Sequence, residues 1–318
     1  MFTRNRVIIS KLFQDPEKYL NKSINICGWV HIIRKQGTMV FILLNDGSTP
    51  KNISIIFSPE FCSIEKYQDI MNTAKKGASL KITGKFVESI KENQPYELQG
   101  SDIVIYGTVN AANYPISKNK MGLETIRENL HLRIRTQTIA AVMRIRNTLA
   151  KETHNYFQTI GCKYIHTPIL TTNDCEGAGE CFTVTSQYPN DEKPKPFYRK
   201  NELFKRPVYL TVSGQLHGES YATALSDIYT FGPTFRAENS NTAKHLCEFW
   251  MIEPELSFID FNDLMNLSED YVKHCLKSVL DQNIDDLELL QKTQNYDYNI
   301  IDSLKNIVEN NFIRVSYT

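Results

Sequence analysis

Between Ser23 and Gly107 the chain carries five short runs of strand-forming residues separated by turn signals, a spacing that leaves room only for a small β-structure. Ile24, Ile26, Gly28 and Val30 alternate with outward positions. Val40–Leu44 is a buried run closed by Asn45-Asp46-Gly47-Ser48, where the glycine suits the positive φ of a tight turn. Ile53–Phe57 follows, then a helical stretch near Glu65–Lys76, then Ser79–Phe86 and Tyr96–Tyr106. Five strands with a helix between the third and fourth predict a closed barrel, because a two-faced sheet this short buries its apolar side only by curling on itself.

The pattern matches barrels of the oligonucleotide/oligosaccharide-binding type, which hold single-stranded nucleic acid by stacking bases on aromatics over a basic groove. Net charge is zero over 318 residues, yet residues 1–125 carry +5 and residues 126–318 carry −5. The basic half is compatible with a polyanionic partner, and a chance asymmetry of solvated surface remains equally open. No apolar run approaches the roughly 20 residues of a membrane span, and Met1–Phe13 lacks the apolar stretch of a signal peptide. Seven cysteines form no C-x-x-C pair, which argues for reduced thiols in a cytosol-like compartment. Cys175 and Cys181 have no third and fourth ligand nearby, so buried thiols are favoured over zinc.

Asn110, Asn113, Tyr114, Pro115 and the polar 117–122 stretch predict a hinge, giving domains at 1–109 and 126–318 with a linker at 110–125. Apolar residues from Ile139 to Phe157 space as one long amphipathic helix over Thr136–Ile160, ended by Gly161. Strands are expected at Tyr164–Pro168, Phe182–Thr185, Val208–Ser213, Ile228–Arg236 and Phe249–Leu256. Helices are expected at Leu216–Leu225, Asp260–Asn283 and Asp297–Asn310, and Lys193–Lys200 reads as a basic loop. The class is α+β. Neither a P-loop nor a dinucleotide fingerprint is present.

The most informative run is Phe231-Gly232-Pro233-Thr234-Phe235-Arg236-Ala237-Glu238, continuing through Lys244, His245 and Glu248 to Phe249. It reads as a strand, a polar loop and a returning strand. Arg236 could clamp a phosphate through its planar fork, Phe249 could stack a purine, and Glu238 could accept from an exocyclic amine. A plain hairpin with a surface ion pair fits the composition as well.

This run resembles motif 2 of the class II aminoacyl-tRNA synthetases, and Gly161 through Thr167-Pro168 resembles motif 1. Thr211-Val212-Ser213-Gly214-Gln215-Leu216, Glu176-Gly177-Ala178-Gly179-Glu180, His131-Leu132-Arg133 and Gly28-Trp29-Val30 are similar to segments of asparaginyl-tRNA synthetases. The resemblance implies an N-terminal anticodon-binding barrel and a catalytic domain built on an antiparallel sheet flanked by helices. It implies asparagine, ATP and tRNA(Asn) as substrates, Mg2+ as cofactor, a homodimer through motif 1, and a cytoplasmic location. By resemblance Arg236 holds the α-phosphate and acts in catalysis, Glu238 and Phe249 hold adenine, and His245 reaches the distal phosphates. Glu176, Ser213 and Gln215 grip the amino acid, and Glu219 reads its amide. Arg34, Phe41 and Glu97 contact the anticodon.

Two departures from the family pattern stand out. Lys244 replaces an arginine, keeping the charge and losing the bidentate fork, and Ser54 replaces a glutamine on the barrel. Phe41 as simple barrel core, and Arg34 and Lys35 as a solvated turn, stay open. In aspartyl relatives a lysine occupies the place of Gly218. Here Glu219 follows instead, and a carboxylate accepts from an amide but repels aspartate. That pair also opposes a paralogue that makes asparagine from aspartate. The end of the chain, Phe312–Thr318, resembles the middle of the family's catalytic domain. The Mg2+ carboxylates and motif 3 are therefore expected beyond this chain, with no metal ligands inside it and weak adenylate formation by it alone. A non-catalytic RNA-binding remnant is the alternative reading.

Overall fold

A computed structural model describes residues 5–90, 94–110, 112–116, 122–173, 175, 177, 180–185, 204–240, 242, 244–294 and 296–316. The chain divides into two compact units, residues 1–148 with 277–309 and residues 149–276 with 310–318.

The first unit is built on a closed barrel of β1 (Ser23–Gln36), β2 (Met39–Asn45), β3 (Ile53–Phe57), β4 (Ser79–Glu88) and β5 (Tyr96–Gly107), in the order β1-β2-β3-β5-β4. Period-two alternation decides the faces: Val40, Ile42 and Leu44 are fully buried, while Phe41 and Leu43 between them are only half-buried. Each inward Ile or Leu contributes about 1.5–3 kcal/mol by leaving water. At Gly100 a Cβ would lie 2.4 Å from the Phe57 ring, so the barrel wall closes there only with glycine. Helix α1 (Ile9–Gln14) plugs one end with Ile9 and Leu12, its first amides donating to Asp46 Oδ2 and Ser48 Oγ at 3.0 Å. Helix α2 (Ile64–Thr73) lies between β3 and β4, N-capped by Ser63.

Two local expectations are corrected. Arg34 and Lys35 lie inside β1, which stays paired with β2 up to Gln36, with Arg34 opposite Phe41 and the turn at Gly37 (φ 59°), while β3 flanks β2 as far as Val40. The expected linker contains the start of a short helix, α3 (Leu123–Glu128).

Helix α4 (Gln137–Thr159) begins in the first unit and continues unbroken into the second. Gly161 (φ 100°) reverses the chain after it, and Cys162 N–H donates to Phe157 O at 2.9 Å. The second unit holds two small sheets, β11-β10-β6 and β7-β9-β8. They are formed by β6 (Lys163–Tyr164), β7 (Leu170–Thr171), β8 (Thr183–Val184), β9 (Val208–Leu210), β10 (Ile228–Phe235) and β11 (Glu248–Glu255). All pairs are antiparallel except β6 with β10. Phe235 N–H donates to Thr211 O at 2.9 Å, linking the two sheets. The core is aromatic, with Phe157 stacked on Tyr229 at 4.8 Å and tilted against Tyr271 at 5.1 Å. The Tyr229 hydroxyl is satisfied by His154 Nδ1 at 2.7 Å. Helix α5 (Gln215–Leu225) packs on β10 and β11.

Helix α6 (Phe261–Gln282) is followed by α7 (Ile284–Gln294), which the sequence pattern missed, and α8 (Ile300–Glu309). The basic stretch 193–200 lies outside the described residues.

The last described segment is held by one carboxylate. Glu269 accepts from Lys273 Nζ at 2.7 Å, Arg314 Nη2 at 3.0 Å and the Phe312 amide at 3.2 Å. The Lys273 hydrogen bond first, then Arg314 and the amide, hold its carboxyl down at about 2. A depressed acid stabilises fully above its ordinary value of 4.5 and loses that contribution as pH falls through about 2. Glu269→Gln is therefore expected to raise amide hydrogen exchange at Phe312 at neutral pH, with the difference from the parent vanishing below about pH 2.

Candidate functional site

In the β10–β11 ladder Thr234 pairs with Phe249, Gly232 with Met251, Thr230 with Glu253 and Ile228 with Glu255. Pairing partners share a face, so one side of the hairpin presents Phe249, Met251, Glu253 and Glu255 in a row. The other side gives Tyr229, Phe231 and Ile252 to the aromatic core.

Glu253 organises this face. It accepts the Ser213 hydroxyl, the Gly214 amide at 3.1 and 3.2 Å and the Thr230 hydroxyl at 2.9 Å. Gly214 is the N-cap of α5, so the carboxylate also meets the positive end of that helix. A Cβ at Gly214 would stand 2.9 Å from Thr230 Oγ1 and 3.0 Å from Thr167 Oγ1, which only glycine avoids. Ser213 Oγ accepts the Gln215 amide at 3.0 Å. One turn on, Gln215 Nε2 donates to Glu219 Oε1 at 2.9 Å, and Cys175 Sγ lies 3.8 Å from Gln215 Oε1. Gly218 packs on Glu255 and Ile228, where a Cβ would meet Glu255 Cγ at 3.3 Å. Glu219 and Glu255 are close enough that charge matters: burial first, then the negative charges of Glu219 and Glu253, push the Glu255 carboxyl up.

At the other end stands a cation. The Arg236 amide donates to Cys247 O at 3.0 Å, and its guanidinium lies 5.4 Å over the Phe249 ring. Arg236 Nε is buried with no hydrogen-bond partner. An orphaned buried donor costs about 1–3 kcal/mol, more when charged, and an anionic ligand seated against this fork would supply the missing acceptor. Arg236, Phe249, Ser213, Gln215 and Glu219 thus lie along one face. Glu238 and His245 stay exposed on the loop beyond, with His245 Nδ1 against the Thr242 hydroxyl. Glu176 lies outside the described residues. The residues that the sequence reading missed are Glu253 and Glu255. Their signal was two carboxylates at alternate positions of the Phe249–Leu256 strand, both pointing the way of Phe249.

On the barrel, Phe41 sits on the outer face opposite Arg34 on β1 and Ile56 on β3, which excludes it from the core. Ser54 pairs with Glu97, one row away on the same face. Glu97 is 8% exposed and accepts from Ser89 Oγ at 2.8 Å. No disulfide forms among the described residues, which include all seven cysteines, and no group of three or more His, Cys, Asp or Glu among them could hold a metal ion. No helix among them is long and apolar enough to cross a membrane.

Known proteins share this layout. Residues 122–318 match the family of class II tRNA synthetases (D, K and N), and residues 24–106 match the OB-fold nucleic acid binding domain. The asparagine–tRNA ligase of Protochlamydia amoebophila is 47% identical over 94% of this chain and 64% of its own length. That of Cytophaga hutchinsonii is 41% identical over 98% and 67%. The asparaginyl-tRNA synthetase of Pyrococcus horikoshii complexed with asparaginyl-adenylate superposes with a TM-score of 0.78 at 23% identity, covering 97% of this chain and 64% of that one. The chain belongs to the class II tRNA synthetases of the D, K and N group, in its asparagine–tRNA ligase branch. It spans about two thirds of the length of these relatives.

The acidic end of the face gives a direct test. A raised carboxyl stabilises while protonated, and that contribution is lost as pH rises through its folded-state value. Removing the neighbouring charge with Glu219→Gln is expected to bring Glu255 back toward the ordinary carboxylate range and flatten stability against pH above 4.5. Carbon-detected titration of the Glu255 carboxyl reads the shift, and an unmoved Glu255 would break the electrostatic link between α5 and β11.

Proposed function

We propose that the chain provides the substrate-binding face of an asparagine–tRNA ligase. Asparagine attacks the α-phosphate of ATP to give asparaginyl-adenylate and pyrophosphate, and the 3′-hydroxyl of tRNA(Asn) then takes the acyl group with release of AMP. The observation that carries this reading is the unpartnered Arg236 Nε stacked over Phe249 on the face shared with Glu219. Arg236 steadies the α-phosphate as charge develops in the displacement, and Phe249 stacks adenine, with Glu238 and His245 closing over the nucleotide from their loop. Such catalysis is positioning and charge stabilisation more than proton transfer.

Ser213, Gln215 and Glu176 hold the amino acid, and Glu219 accepts from its side-chain amide. With Glu253 and Glu255 on the same face the field there is negative, so it draws the α-ammonium and repels a second carboxylate. The barrel reads the anticodon with Phe41 stacking a base, Glu97 accepting from one, and Arg34 meeting phosphate. Mg2+ would neutralise the triphosphate. The described residues offer no group of ligands for it, and the roles of Arg236 and Phe249 do not depend on it. A reduced compartment such as the cytoplasm suits seven free thiols. Motif 1, flanked by exposed Ile160, Tyr164, Ile169 and Leu170, is proposed to pair with a second copy. Sedimentation at micromolar concentration should give a dimer, and a lone monomer would count against that pairing.

Non-hydrolysable asparaginyl- and aspartyl-adenylate analogues test substrate choice. The asparaginyl analogue is expected to bind at least about tenfold to a hundredfold more tightly, the size of one polar group left unpaired in a dry site. Glu219→Gln should shrink that ratio. Equal binding of the two analogues to the parent chain would overturn the assignment.

A further inference from the structure

In the first unit α1 and α2 pack into the barrel core, whereas α4 and α7 meet the barrel through polar links. A cavity of about 1150 Å3 lies there, walled by Trp29 and Asn52 of the barrel segments and by Met143 and Asn147 of α4. Where apolar packing is this open, a few hydrogen bonds decide the geometry. Three of them reach the turn that joins β2 to β3. Gln137 Nε2 donates to Pro50 O at 3.1 Å, Lys51 Nζ meets Asp285 Oδ1 at 2.8 Å, and Arg144 Nη1 donates to Gly47 O at 2.9 Å.

Arg144 is the central member. Its Nε and Nη2 fork onto Asp286 at 3.0 and 2.7 Å, and Asp286, 3% exposed, also accepts from Asn283 Nδ2 at 3.0 Å. One guanidinium therefore joins α4, α7 and the barrel turn, using donors on different edges of its plane as lysine could not. The turn it grips runs directly into β2, which carries Phe41, and into β3, which carries Ser54.

We infer that Arg144 is a positioning residue for tRNA: it fixes the β2–β3 hairpin on α4 and α7 so that the RNA meets a barrel already in place. This rests on the proposed reading of the barrel as the anticodon-binding module. A tRNA held at two places gains from a fixed spacing, because a barrel free to swing lowers the effective concentration of the second contact. An isolated anticodon stem-loop touches the barrel alone and gains nothing from the clamp. Arg144→Lys keeps a charge for Asp286, whose uncompensated burial could otherwise unfold the protein, and loses the reach to Gly47. Gln137→Ala removes the Pro50 link without stranding any buried charge.

The test measures fluorescence-anisotropy binding of whole tRNA(Asn) and of its anticodon stem-loop to the full chain and its Arg144→Lys, Gln137→Ala and Phe41→Ala variants. Whole tRNA is expected to bind Arg144→Lys about tenfold more weakly, part of the advantage that linkage of two contacts confers. The stem-loop should bind that variant as it binds the parent, and Gln137→Ala should move the tRNA-to-stem-loop ratio in the same direction. A ratio unchanged in both variants, whether the two RNAs weaken together or not at all, overturns the inference. Phe41→Ala should weaken both RNAs. A stem-loop that ignores Phe41→Ala refutes the anticodon reading itself, a result separable from the behaviour of Arg144.

Discussion

A single carboxylate, Glu253, sets the geometry on which the proposed substrate face depends. It accepts from Ser213, Gly214 and Thr230 at once, and so pins the first turn of α5 to the middle of the β10–β11 ladder. Everything carried by α5 inherits that placement. Gln215 and Glu219 project from the first two turns, and Gly218 allows the helix to lie close on Glu255 and Ile228. A charge half-buried this way is tolerable because its lone pairs are met by hydrogen bonds and by the positive end of a helix.

The face that results is polarised along its length. Arg236 and Phe249 stand at the loop end, and three glutamates gather near the far end of the strand. Opposed charge at the two ends of one face would orient a ligand that is itself polar along its length, as the proposed adenylate is. Burial first, and then the like charges of Glu219 and Glu253, raise the Glu255 carboxyl where α5 meets β11. The opposite face of the same hairpin carries no such burden. Its Tyr229 and Phe231 pack into an aromatic core with Phe157 of α4 and Tyr271 of α6.

Much of this layout was legible beforehand, and particular residues show why. The alternation of Val40, Ile42 and Leu44 gave both the strand and the face of Phe41, since a period of two is a local property. The long helix and its stop at Gly161 followed from apolar spacing and from the one residue that adopts positive φ without strain. Arg34 and Lys35 could read as a solvated turn because β1 stays paired with β2 past its last apolar position, and polar residues in a strand leave no periodic signal. Helix α7 was missed because the expected helix was ended at Asn283, and the stretch from Ile284 to Gln294 that restarts one residue on was not read as a new helix.

The sequence alone determined which residues face inward in the barrel, where the hairpin with Arg236 and Phe249 lies, and to which family its motifs belong, because these rest on neighbours a few positions apart. Only the tertiary structure could bring Glu253 to Gly214 across 39 residues, or Arg144 to Asp286 across 142. Such pairings depend on strand register and helix placement that the whole packed chain settles together, and no local pattern of residue types encodes them.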